Sequence, residues 1–299
     1  MGTPDFLIIG AAKSGTTALD SYLDQHPRIR MCRPKETNFF SYEGHPPTCR
    51  GPGDEKFNAQ AVTDLETYHA LFESDETTGV TGESAPLYLY DTGAPSRIAK
   101  HCPNVKLIAL LRNPVQRAYS SYMHMIRDSR EPLPNFGLAL DAESSGKRDD
   151  WEFLWHYRRV GYYGDQLSRY TKLFAPEQML VLLYEDFQHR SQDVIPQRLR
   201  FLEMDDGFSP DMSIRPNMTG VPRNRYLNRL LTRPNILKNA MKPLLPTSLR
   251  RLATQVKAMN LQKPPMPHAE SEFLRNAYQE DVEHLEHQLE RDLSGWISV

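Results

Sequence analysis

The chain has 299 residues, 39% of them hydrophobic and 25% charged, with a formal net charge of −2. These values fit a soluble globular protein with a sizeable core. The near balance of charge excludes a global field for nucleic acid or anionic lipid, so an anion site has to be built locally. No stretch approaches the ~18 apolar residues of a membrane span, and no basic region followed by a long apolar run marks a signal peptide. Cys32, Cys49 and Cys102 have no metal-ligand spacing, and their odd number speaks against a disulfide scaffold. A reducing, cytoplasmic setting is expected.

Residues 6–9 read as a strand that runs into Gly10-Ala-Ala-Lys13-Ser14-Gly15-Thr16-Thr17 and then into a helix over 16–25, with Leu19, Tyr22 and Leu23 on one face. A strand, a glycine-bounded turn and a helix N-terminus together grip a phosphate. Gly10 and Gly15 have the spacing of the nucleoside triphosphate loop G-x-x-x-x-G-K-[ST], but Thr16 follows Gly15 and the lysine lies inside the turn, at Lys13. Next comes Arg33-Pro-Lys35-Glu36-Thr-Asn-Phe39-Phe40, where Glu36 is a candidate general base; the alternative is a solvated pair with Lys35. Residues 44–53 are a loop dense in Pro and Gly.

A short strand over 80–83 and a helix over 96–101 lead to a buried apolar strand over 105–111. That strand ends in Arg112, and a helix over 114–127 follows, with a proline in its first turn and Ser120 two turns in. Arg112 and Ser120 are placed to converge on one phosphate, unless the arginine pairs with a carboxylate. A helix over 162–174 and a strand over 178–183 follow. Residues 205–222 and 232–267 break the rhythm and read as lid or mobile segments; within them Thr219-Gly220-Val-Pro222 forms a turn that aims Arg223. The chain closes on an amphipathic helix over 270–293. This alternation predicts an α/β fold, a doubly wound parallel sheet flanked by helices, in a single domain over 1–299 with a lid at about 205–267 and ligand sites at the C-terminal strand ends.

These motifs in this order resemble the sulfotransferases that use 3′-phosphoadenosine 5′-phosphosulfate (PAPS), in particular the bacterial and Golgi glycan-type branch. The resemblance implies that Lys13, Ser14, Gly15, Thr16 and Thr17 bind the 5′-phosphosulfate, and that Arg112 and Ser120 hold the 3′-phosphate. It implies a late loop with Thr219, Gly220 and Arg223 closing on that phosphate, and Glu36 as the catalytic base. The implied reaction is in-line transfer of a sulfuryl group to an acceptor hydroxyl or amine, with Lys13 stabilising charge on the bridging oxygen and adenosine 3′,5′-bisphosphate as the product. No Walker-type Lys-Ser/Thr pair is present, so no metal is expected. One departure stands out: Gly82-Glu83-Ser84-Ala85-Pro86 lacks the lysine of the Glu-Lys-Ser/Thr-Pro stretch found in heparan-type enzymes, which speaks against a polyanionic acceptor. Glu83 is a second carboxylate that would orient Lys13 or the acceptor, or serve as the base in place of Glu36. The acceptor is left open among a small molecule, a glycan and a carrier-tethered chain, with Phe39, Phe40, His124, Trp151, Trp155, His156 and Tyr157 as the expected lining; the oligomeric state is open too. A P-loop small-molecule kinase using ATP–Mg²⁺ and a non-catalytic nucleotide-binding homologue are the alternatives.

Overall fold

Five strands, all parallel, form the centre of the molecule in the computed structural model, which describes residues 2–73, 79–189, 199–204, 207–212, 221–222, 261–262 and 264–298. They are β1 (Phe6–Gly10), β2 (Ile29–Met31), β3 (Val80–Ser84), β4 (Lys106–Leu111) and β5 (Met179–Leu183), in the spatial order β2-β3-β1-β4-β5. The apolar runs dictate this arrangement: every residue of β1 is buried, and all of β4 after Lys106, as expected for parallel strands covered on both faces. Alternation along the strands then feeds two cores. Leu7, Ile9, Leu107, Ala109 and Leu111 face one side, and Phe6, Ile8, Ile108 and Leu110 the other. Gly82 in β3 is demanded by close approach, because a Cβ there would lie 2.1 Å from the Phe6 ring.

Among the described residues the α-helices are α1 (Thr16–Leu23), α2 (Phe39–Tyr42), α3 (Glu55–Gln60), α4 (Leu65–Ala70), α5 (Leu87–Tyr90), α6 (Ala94–His101), α7 (Pro114–Arg127), α8 (Phe136–Ser144), α9 (Tyr163–Thr171), α10 (Tyr184–His189) and α11 (His268–Leu289). The expected doubly wound sheet is therefore present, with element ends shifted by a few residues from those read in the sequence. β2 has no counterpart among the predicted elements; it is three residues long and carries only two apolar side chains. α7 starts where the Asn113 side chain accepts hydrogen bonds from the Val115 and Gln116 amides, with Pro114 in the first turn, where its missing N–H costs nothing. α11 buries Leu274, Tyr278, Val282 and Leu285, and its Asp281 accepts the Gly164 and Asp165 amides at 3.0 and 3.1 Å. Phe273 of the same helix lies exposed, beneath the Arg158 guanidinium.

Thr219, Gly220 and Arg223, and most of 205–267, lie outside the described residues. Parts of that stretch are described: Val221–Pro222 pairs antiparallel with Leu261–Gln262 and lies against α7, and the Tyr119 hydroxyl of α7 donates to the Pro265 carbonyl at 3.2 Å. No helix among the described residues is long and apolar enough to cross a membrane.

Candidate active site

The C-terminal ends of β1, β3 and β4 converge, and the site is built on the turns that leave them. After β1 the Ala11 amide donates to the Leu110 carbonyl of β4 at 2.8 Å, which locks the turn against its neighbour strand. The turn bends through two left-handed residues, Lys13 (φ 67°) and Gly15 (φ 98°). Glycine is required at the second: a side chain would be strained there and would meet the Tyr184 ring at 3.2 Å. Ser14 and Thr16 are buried beneath the turn, and Thr16 and Thr17 open α1 with its free backbone N–H groups.

Arg112 leaves β4 beside this turn. Its Nη1 donates to the Lys13 carbonyl at 3.2 Å and its Nη2 to Gln116 Oε1 at 3.4 Å, and its guanidinium lies over the Tyr184 ring at 4.7 Å. Among the described residues no carboxylate forms an ion pair with it, and its buried Nε has no hydrogen-bond partner. Ser120 is buried on α7, two turns on.

His124 and Arg127 follow Ser120 at i+4 and i+7, on the same helical face. Arg127 Nη2 donates to His124 Nδ1 at 2.6 Å, which leaves the imidazole proton on Nε2, 3.6 Å from Asp128. Burial, with the positive charge of Lys13 second, pushes the His124 imidazole well below its usual range, so it is neutral at neutral pH. Lys13 lies among these groups. Burial first and the Arg127 charge second bring its pKa down to about 8, with Asp128 and Glu36 opposing the fall. Lys13, Glu36 and Arg112, expected from the sequence, thus share one electrostatic site. Arg127, Asp128 and Tyr184 were not among the residues read as functional; the spacing of Ser120, His124 and Arg127 was the signal available for the first.

Glu36 has a left-handed backbone (φ 62°), a side chain 41% exposed, and a 2.6 Å ion pair with Lys35. The two aromatics after it do not surround it. Phe39 and Phe40 are fully buried, Phe39 stacked on Tyr68 with centroids 4.3 Å apart and Phe40 edge-on to Tyr88. They anchor α2 and line no acceptor pocket. Trp155 and Tyr157 are core as well; Trp151 packs edge-on against Trp155, and His156 bridges the Tyr90 hydroxyl and the Arg148 carbonyl at 2.9 Å each. Of the expected lining, His124 lies near Lys13, and Trp151 and His156 line the cavity described below.

Glu83 is fully buried at the end of β3. Its partners are Thr37, Tyr68 and Tyr88, not Lys13, and no acceptor has access to it; this removes it as an alternative base. A separate cavity of about 600 Å³ is lined by Tyr42, Leu87, Tyr90, Asp91, Phe153 and Arg159, among others. Leu87 and Phe153 also pack with Ala12 of the β1 turn. The carboxylates of Asp91, Asp149, Asp150 and Asp165 outnumber the two guanidiniums, Arg159 and Arg169, in its walls.

A family model described as the sulfotransferase family matches residues 4–209, and the chain belongs to that family. It is 28% identical over 226 residues to a mouse protein, the bifunctional heparan sulfate N-deacetylase/N-sulfotransferase 3, covering 72% of this chain and 24% of the relative. It is 31% identical over 172 residues to the human heparan sulfate glucosamine 3-O-sulfotransferase 6, covering 57% of this chain and 44% of the relative. The chain thus spans less than half the length of these curated relatives. A crystal structure of a sulfotransferase from Alicyclobacillus acidocaldarius aligns over all of both chains with a TM-score of 0.76 and 33% identity. The fold agrees with the family, and the kinase reading is not favoured.

Proposed function

We propose that the chain moves a sulfuryl group from PAPS to an acceptor hydroxyl or amine by in-line displacement. The observation that carries this reading is the clasp of the β1 turn by Arg112, whose buried Nε remains without a partner among the described residues beside the amide-rich start of α1. An orphaned buried guanidinium N–H calls for an anionic ligand. Two anion-binding corners so close together suit a nucleotide with phosphates at both ribose positions. When bound, PAPS supplies the sulfuryl group and a bisphosphate leaving group.

The chain's own residues then do the following. The amides of the turn and the Thr16 and Thr17 hydroxyls hold the 5′-phosphate. Arg112 and Ser120 hold the 3′-phosphate, with Thr219, Gly220 and Arg223 closing over it; the seating of Val221–Pro222 against α7 supports that closure. Lys13 stabilises negative charge on the bridging oxygen. Glu36 accepts the acceptor's proton once the acceptor displaces Lys35 from it. None of these roles needs a metal. A serine where heparan-type enzymes have lysine, and the acidic walls of the neighbouring cavity, favour a neutral or amine-bearing acceptor over a polyanion: a small molecule, a glycan or a carrier-tethered chain. A cytoplasmic location belongs to the same proposal, in keeping with three free cysteines.

Isothermal titration with adenosine 3′,5′-bisphosphate tests the donor site. Lys13 is protonated below about pH 8 and loses its charge above it. A bound phosphate favours the charged form, so the complex takes up a proton at pH 8–9 and affinity falls about fivefold from pH 8 to pH 9. Lys13→Met flattens that dependence. Tighter binding of ATP–Mg²⁺ than of the bisphosphate, with no proton uptake, would contradict the assignment.

A further inference from the structure

Glu83 presents a problem that the reaction does not by itself explain. It is a fully buried carboxylate that pairs with no cation among the described residues. Such a group is held against a large desolvation cost, and an apolar replacement usually packs at least as well. Four donors keep it in place. The Thr37 amide and hydroxyl both reach Oε1, at 3.2 and 2.5 Å; the Tyr68 hydroxyl reaches Oε2 at 2.8 Å; the Tyr88 hydroxyl lies 3.0–3.1 Å from both oxygens.

The position of Thr37 gives this network its meaning. It follows Glu36 directly and lies between two left-handed non-glycine residues, Glu36 (φ 62°) and Asn38 (φ 54°). Backbone of that kind persists only where its surroundings over-determine it, and it gathers at functional sites. Here the over-determination is visible. The Thr37 amide belongs to the peptide plane that joins it to Glu36, so its bond to Glu83 fixes the direction in which the Glu36 backbone points. The Thr37 hydroxyl also accepts the Phe39 amide at 3.3 Å, which starts α2. Of the remaining donors, Tyr68 stacks on Phe39 and Tyr88 packs edge-on against Phe40. The chain is thus continuous from the end of a central strand, through one carboxylate, to the backbone of the base.

We propose that Glu83 is a positioning residue, which through Thr37 fixes the Glu36 backbone so that its carboxylate faces the acceptor. This rests on the reading of Glu36 as the general base. A hub of hydroxyls, in place of a lysine or arginine, fixes the loop without adding a cation next to Glu36.

Thr37→Val keeps the branched shape and removes the hydroxyl donor, Thr37→Ser restores it, and Glu83→Gln keeps the size and removes the charge. All are made in the full chain and assayed with radiolabelled PAPS and an acceptor found by screening hydroxyl and amine compounds, with Glu36→Gln alongside. Misplacement of a reacting group by about 1 Å costs on the order of 10²-fold. Thr37→Val and Glu83→Gln therefore lower kcat by about 10- to 100-fold, Thr37→Ser recovers to within about threefold of the parent, and the Kd of adenosine 3′,5′-bisphosphate stays within about twofold throughout. Folded Thr37→Val and Glu83→Gln proteins with parental kcat, beside an inactive Glu36→Gln, overturn the positioning role and leave the base intact. Loss of bisphosphate affinity in step with kcat also overturns it, because that pattern belongs to a general structural defect. An active Glu36→Gln removes the base assignment and the positioning role together. If Glu83→Gln does not fold, the valine–serine pair at 37 decides alone.

Discussion

Glu36→Gln lowers turnover by about 10²-fold or more and leaves the Kd of adenosine 3′,5′-bisphosphate nearly unchanged. Glutamine has the size of glutamate and still accepts a hydrogen bond, but it cannot take a proton at neutral pH. A loss of 10²-fold corresponds to about 2.7 kcal/mol of transition-state stabilisation, the lower end of what general-base removal costs. The substitution also releases Lys35 from its 2.6 Å ion pair. That pair is partly exposed, so its loss weighs little on stability, and the drop is read in kcat at saturating PAPS with the melting temperature as control. Turnover within threefold of the parent takes Glu36 out of the reaction.

Arg112→Ala weakens adenosine 3′,5′-bisphosphate binding by about 10- to 100-fold, the worth of a charge-assisted hydrogen bond, and changes 5′-AMP binding by less than about threefold. The two ligands differ only in the 3′-phosphate, so their ratio isolates the contact assigned to Arg112. The arginine also donates to the Lys13 carbonyl and stacks on Tyr184, so its removal loosens the β1 turn for both ligands alike. That common part cancels in the ratio. Equal losses for the two ligands would show that Arg112 supports the turn without reading the 3′-phosphate.

The sheet was readable because parallel strands covered on both faces read as apolar runs, as residues 6–9, 107–111 and 179–183 do. β2, three residues long with Arg30 at its centre, carries no such mark. The turn at Lys13 and the arginine at the end of β4 were legible too, since motif spacing alone places both at C-terminal strand ends. Side-chain direction was not legible. Phe39 and Phe40 follow the candidate base in sequence, yet one turn of helix sends both into the core. Glu83 lies next to the site along the strand, yet its carboxylate points at three hydroxyls, those of Thr37, Tyr68 and Tyr88. Arg127 and Asp128 join Lys13 only because α7 folds back across the turn, a pairing across 114 residues that no local pattern carries.

A crystal structure of the full chain with adenosine 3′,5′-bisphosphate tests the central claim most directly. The 5′-phosphate is expected on the amides of residues 13–17, and the 3′-phosphate within hydrogen-bond distance of the Arg112 guanidinium and Ser120 Oγ, with Lys13 between the nucleotide and Glu36. A bisphosphate bound elsewhere, or seated with only one of its phosphates on these two corners, would contradict the account.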